Sequence, residues 1–268
     1  IQLAHAGRKA SSQLPWEGGQ ALRTDQDPWP TISASAIAFD DGWHVPEALD
    51  EDGMDRVTDA FVHAARRALR LGFEVIELHS AHGYLLHQFL SPLSNQRDDA
   101  YGGPLASRMQ FPLRVLEAVR AAVPRSTALG MRISATDWVE GGWSIDDSIE
   151  YVREAQAIGI DYVCVSSAGN SARARVPVGP GYQVPAAARI RAETGVVTRA
   201  VGLITSARQA NAIIEDGQAD QVALARAMLD DPRWGWHAAD ALGAEVHCPP
   251  QYARARPESW RSVRDGSD

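Results

Sequence analysis

Two hydrophobic rhythms alternate along this chain. Short apolar runs rich in β-branched residues recur, and between them apolar residues return every three or four positions. Residues 1–5, 75–78, 129–134, 161–166, 196–202 and 221–226 have the length and composition of buried strands. Met54, Val57, Phe61, Ala65 and Leu69 share one face of a helix that Gly72 stops. Phe111, Val115 and Val119 mark a second helix over 105–123. Pro112 conflicts with that span, because an internal proline removes a helix hydrogen bond, so the helix starts later or kinks there. Ser144 with Asp147 reads as a capping box for a helix through Ile158. Thr205 or Ser206 caps another, and Asp231 with Pro232 starts the last, to Leu242. Cys164, inside an apolar run, reads as an inert buried thiol.

Strands that alternate with helices pair in parallel. The pattern therefore predicts an α/β fold with six strand–helix units, where a closed barrel of this type needs eight. Residues 11–50 lack any helical period and carry Trp16, Trp29 and Trp43. Residues 31–39 alternate in polarity and suggest one arm of a short hairpin. Residues 167–183 read as a second loop.

Composition narrows the picture. A chain of 268 residues suits one domain, expected to span 1–268. The net charge of −8 argues against nucleic acid or an acidic membrane surface as the main partner. No apolar run approaches the roughly 20 residues of a membrane span. Two cysteines, Cys164 and Cys248, make no disulfide framework, so the cytoplasm is the expected compartment. Lys9 is the single lysine among 26 basic residues. The chain opens inside an apolar strand at Ile1 without Met, which suggests a fragment.

The candidate chemistry stands after the run at 75–78. His79, His82 and Tyr84 leave the chain at the carboxyl end of a strand, where parallel α/β proteins place their sites. The histidines could be satisfied by a neighbouring loop, could hold a metal, or could donate together to a substrate oxygen with Tyr84 as proton source.

Three neighbouring motifs bear on that choice. The chain reads HxAHGYL from His79, FLSPLSN from Phe89 and RxDxYGG from Arg97. With QLAHAGRKA at 2–10 and MRIS at 131–134, this resembles the old yellow enzyme family of flavin-dependent ene-reductases. The likeness is nearest to its bacterial xenobiotic-reductase-like branch and runs from Ile1 to about Tyr252. It implies a TIM (β/α)8 barrel, of which this chain supplies strands three to eight, the first two being expected before Ile1. It implies FMN as cofactor and NADPH or NADH as reductant. Gln2 would bond the flavin pyrimidine edge, Arg132 would lie at its N1–O2 edge, and Val201, Gly202, Ala225 and Arg226 would hold the phosphate. Ala225 departs from the family, which usually has Gly there. His79 and His82 would grip the oxygen of an electrophilic alkene conjugated to a carbonyl or nitro group, and Tyr84 would protonate its α-carbon. Arg254 would reach a neighbouring subunit's site, which implies a homo-oligomer. No metal site is expected. The alternatives are a non-catalytic fragment and a metal-dependent barrel hydrolase, for which the strand ends Gln2, Arg132, Ser166, Gly202 and Arg226 are poor ligands.

Overall fold

Each apolar run forms a strand in the computed structural model, which describes residues 1–255; residues 256–268 of the expected domain lie outside the described residues. In chain order the strands are β1 (Gln2–Leu3), β2 (Ile32–Ser33), β3 (Glu47–Ala48), β4 (Val75–Ser80), β5 (Ala128–Ser134), β6 (Tyr162–Ser166), β7 (Val197–Val201) and β8 (Gln221–Ala223). β1, β4, β5, β6, β7 and β8 make one sheet in that order, every neighbour parallel. The helices are α1 (Glu51–Arg70), α2 (Leu85–Leu90), α3 (Leu105–Ala122), α4 (Ile145–Ile158), α5 (Val184–Thr194), α6 (Ala207–Glu215), α7 (Arg226–Asp230) and α8 (Trp234–Leu242). The sheet thus has the six strands expected, and among the described residues β1 and β8 are its two edges.

Strand side chains alternate between faces, and here the two faces differ in chemistry. Ile76, Leu78, Leu129, Met131, Ile133, Val163, Val165 and Ala200 point one way, into a core shared with Phe61, Phe111, Val115 and Val152 from the helices. The other face is polar. Register aligns His79, Arg132, Cys164, Arg199 and Gln221 in one row across β4 to β8. Glu77, Gly130 and Tyr162 form the row before it.

That polar face is concave. Glu77 on β4 and Arg199 on β7 pair at 3.2 Å, although three strand spacings in a flat sheet amount to roughly 14 Å. The Tyr162 hydroxyl donates to the same Glu77 carboxylate at 2.9 Å, across β5. It can do so because residue 130 is Gly: a Cβ there would lie 2.2 Å from the Tyr162 ring.

Several boundaries differ from the sequence reading. β4 runs to Ser80, so His79 is inside the strand; pairing persists because Ser80 aligns with Ile133 and its hydroxyl meets Tyr151 at 3.1 Å. α3 begins at Leu105 and continues through Pro112, which is buried in the packed helix. Burial of Phe111 and Val115 on either side outweighs the lost main-chain bond. Residues 31–39 make no hairpin arm. β2 pairs in parallel with β3, and Arg97 fixes the arrangement by donating to the carbonyls of Ala34 and Leu49 at 2.8 and 2.7 Å. α8 starts at Trp234 rather than Pro232, because residues 231–234 close a tighter turn in which the Trp234 N–H donates to the Asp231 carbonyl at 3.0 Å. Arg226 does not end β8 but opens α7. Among the described residues no helix is long and apolar enough to cross a membrane.

Candidate active site

The carboxyl end of β4 turns sharply into α2. His82 and Gly83 are both left-handed, at φ +57° and +69°. The conformation costs a non-glycine residue energy, and at residue 83 space also forbids a side chain, since a Cβ would stand 2.4 Å from the Gly169 carbonyl oxygen. The turn is gripped from all sides. The His82 N–H donates to Ser134 Oγ at 2.9 Å, and the His82 carbonyl accepts from Lys9 Nζ at 3.0 Å. The Gly83 N–H donates to His87 Nδ1 at 2.9 Å, and its carbonyl accepts from Gln88 at 2.6 Å. Tyr84 then caps the start of α2, its ring stacked on His79 with centroids 4.6 Å apart.

The imidazoles form a series. The Ala81 N–H points at His79 Nδ1 (3.3 Å), which puts the His79 proton on Nε2. That nitrogen lies 3.1 Å from His82 Nδ1, which must accept. His82 then carries its proton on Nε2 and donates to Ser166 Oγ at 2.7 Å. Ser166 in turn donates to Gln183 Oε1 at 3.3 Å, and Gln183 donates to the Val201 carbonyl at 2.9 Å. One directed chain therefore links the carboxyl end of β4 to β7. Of the two donors expected to converge on a single oxygen, His79 donates to His82 and His82 donates to Ser166. Both rings are neutral. Burial, then the nearby Arg132 charge, depresses His79 to about 4 and His82 to about 2.

Sequence reasoning passed over the groups behind this turn. His87 and Asp137 are fully buried, with His87 Nε2 and Asp137 Oδ1 3.2 Å apart. Burial raises the Asp137 pKa, but His87, the Ser91 hydroxyl and the Trp143 N–H outweigh it and bring it to about 2. Lys9, Ser134, Ser166 and Gln183 were likewise missed. A third histidine four residues past Gly83, in the apolar run LLHQFL, was the available signal for His87.

Beyond His82 a pocket of about 410 Å³ opens between β6, β7 and β8. Arg132, Val201, Gly202, Ala225 and Arg226, all anticipated, line it together with His82, Ser166 and Gln183. Among the described residues the buried Arg132 Nε has no hydrogen-bond partner. An unpaired guanidinium facing a cavity calls for an electron-rich ligand. At Gly202, φ is +122°, and a Cβ would lie 2.7 Å from the Gln183 amide. This donor set fits a flat, anionic group such as FMN. Two anticipated residues stand apart. Gln2 donates to Glu77 Oε1 at 2.6 Å and lines a separate cleft between β1 and α1. Arg254 is exposed on a 3-10 turn, Pro250–Ala255, clear of the pocket lining. Cys164 is buried, and burial raises its thiol to about 11.

Known proteins share this arrangement. Residues 1–245 match the NADH:flavin oxidoreductase / NADH oxidase family. A protein named NADPH dehydrogenase from Geobacillus thermodenitrificans is 43% identical over 261 residues, covering 97% of this chain and 70% of the relative. The solved structure of morphinone reductase is similar with a TM-score of 0.70 and 25% identity, over 93% of this chain and 67% of that one. A 2-naphthoyl-CoA reductase complex, at 22% identity and a TM-score of 0.77, shares the fold over 90% of this chain and 37% of its own. The sheet is thus six consecutive strands of a (β/α)8 barrel.

Proposed function

This chain belongs to the NADH:flavin oxidoreductase / NADH oxidase family, the old yellow enzyme family its motifs resemble. From that premise we propose that it is the FMN-binding part of an NAD(P)H oxidoreductase. Its substrate would be a small α,β-unsaturated carbonyl or nitro compound, reduced at the activated C=C bond. The observation that carries this reading is the neutral His79–His82 chain, stacked on Tyr84, at the rim of a pocket whose half-buried Arg132 has an Nε without a partner among the described residues.

When bound, FMN supplies the hydride chemistry between NAD(P)H and the alkene. Arg132 would face the electron-rich ring edge, while Gly202 and Arg226 would receive the phosphate, with Ala225 adding a methyl group beside it. His79 Nε2–H would swing from His82 to the substrate oxygen. There it stabilises the negative charge that grows as the β-carbon is reduced. The Tyr84 hydroxyl gives its proton to the α-carbon and completes the saturated product. Arg254 would contribute to a second copy's site, since it reaches nothing in its own pocket.

A second reading has its own observation. The concave face is open at β1 and β8 among the described residues, and Gln2 is turned to Glu77. Both favour loose retention of FMN by this chain alone. One experiment addresses both readings. The purified chain is titrated with FMN, then mixed anaerobically with NADPH and a cyclic enone. Saturable binding with enone reduction supports the enzyme. Saturable binding without turnover supports the second reading, and no binding at any concentration contradicts both.

A further inference from the structure

The single lysine of the chain sits where three loops meet. Lys9 Nζ donates to the His82 carbonyl at 3.0 Å and to the Gly169 carbonyl at 2.8 Å. It also lies over the Phe39 ring at 4.6 Å and faces the Tyr84 ring at 5.9 Å. An ammonium has three N–H donors. Two go to carbonyls, and the rings take up the remaining side of the cation. Among the described residues no carboxylate forms an ion pair with it. The charged or titratable groups around it are Arg8 on its own turn and His79, His82 and Tyr84 opposite. Arg8 is engaged elsewhere, with the carbonyls of Ile37, Ala38 and Asn170. The positive charge of Lys9 is therefore uncancelled and turned toward the reacting groups.

The two carbonyls it joins belong to segments in backbone contact. A Cβ at Gly169 would lie 2.5 Å from His82 Cα. Without a donor between them, the two carbonyl dipoles would face each other unsatisfied.

We propose that Lys9 is a positioning residue for proton delivery: it pins the His82–Gly83 turn to the Gly169 loop and holds a positive charge over Tyr84. This inference rests on the reading of Tyr84 as the acid. When the phenolic O–H breaks, its proton forms the new C–H bond at the α-carbon, using the electron pair of the enolate. The phenolate left behind faces the Lys9 ammonium until water reprotonates it. Burial, then the Arg8 charge, lowers Lys9 to about 8, so the charge should be lost as pH rises through that value.

The test compares Lys9→Met, Lys9→Arg and Tyr84→Phe in the FMN-loaded chain. In Lys9→Met the enone step should fall about 10- to 100-fold. KM for the enone and flavin reduction by NADPH should stay near wild type, and Lys9→Arg should recover most of the loss. The wild-type enone rate should decline as pH rises through about 8, and Lys9→Met should lack that limb. Independently of activity, lysine-selective ¹⁵N labelling gives one ammonium signal, which should titrate near that same pH. An unchanged enone step in Lys9→Met overturns the inference. So does equal loss in both half-reactions, or a signal that titrates like a free lysine. If Tyr84→Phe keeps the full enone rate, the acid assignment itself fails. Impairment in Tyr84→Phe but not in Lys9→Met defeats this inference alone.

Discussion

The turn at His82–Gly83 and the rim from Val201 to Arg226 border the same pocket and are built in opposite ways. In the turn, the N–H and carbonyl of both residues are held by side chains, from Lys9, Ser134, His87 and Gln88. At the rim, Gly202 is half-buried, Ala225 and Arg226 are exposed, and β8 is only three residues long. On the proposed function, the difference would separate two tasks. Groups that meet a reacting atom must be fixed before the substrate arrives, because reorganisation during the reaction adds to the barrier. Groups that hold a cofactor can be completed by the cofactor itself, whose binding stabilises the folded chain.

The comparison breaks first at Tyr84. Tyr84→Phe should slow enone reduction by about 10²–10⁴-fold. Flavin reduction by NADPH should remain intact, as rapid mixing of each half-reaction would show. Equal slowing of both halves would mean that Tyr84 serves the rim as well as the turn.

Glycine substitutions sharpen the contrast in rigidity. Gly83→Ala drives a Cβ into the Gly169 main chain, whereas Gly202→Ala meets side chains only, the Gln183 amide and the edge of the Tyr182 ring. Left-handed strain alone costs about 1–3 kcal/mol. Both positions carry that strain, so thermal unfolding should show both variants losing about that much, and Gly83→Ala losing more because its clash is with main chain. The reverse order would place the rigid backbone at the rim.

Acid should act on the turn in two windows. The folded chain keeps His79 neutral down to about 4, while the unfolded chain takes up that proton below its ordinary value of roughly 6.5. Stability is therefore full above that value and falls as pH drops toward 4. The folded Asp137 carboxyl holds its charge down to about 2. Its contribution, about 2 kcal/mol, is present above the usual carboxylate range and is lost as pH falls through that range toward 2. Urea unfolding at stepped pH would resolve both windows. His82, held neutral down to about 2, adds to the loss below roughly 6.5, so His79→Gln should shrink the upper window without abolishing it, and Asp137→Asn should shrink the lower.

Much of the scaffold is legible in the sequence. Parallel strands covered by helices leave continuous apolar runs, and each run from 75–78 to 221–226 became a strand of the sheet. The site row is legible through its motifs, because His79, His82 and Tyr84 leave the chain together and Arg132 interrupts an apolar strand. What stays hidden is set by contacts between distant segments. The parallel pairing of β2 with β3 depends on Arg97, some fifty residues further on. The direction of the His79–His82–Ser166 chain depends on which nitrogen Ala81 addresses. Lys9 reads as one basic residue in a loop until His82, Gly169 and Tyr84 are seen around it. Asp137 and His87, fifty residues apart in sequence, meet only in the folded core.

Division of labour across the pocket is tested most directly at Arg226. FMN affinity, enone single-turnover rate at saturating FMN and thermal stability should be measured for wild type and Arg226→Ala. FMN binding should weaken while the saturated rate and the melting temperature of the unloaded chain stay near wild type. A large fall in the saturated rate, with FMN affinity unchanged, would contradict the separation of a cofactor-completed rim from a prebuilt catalytic turn.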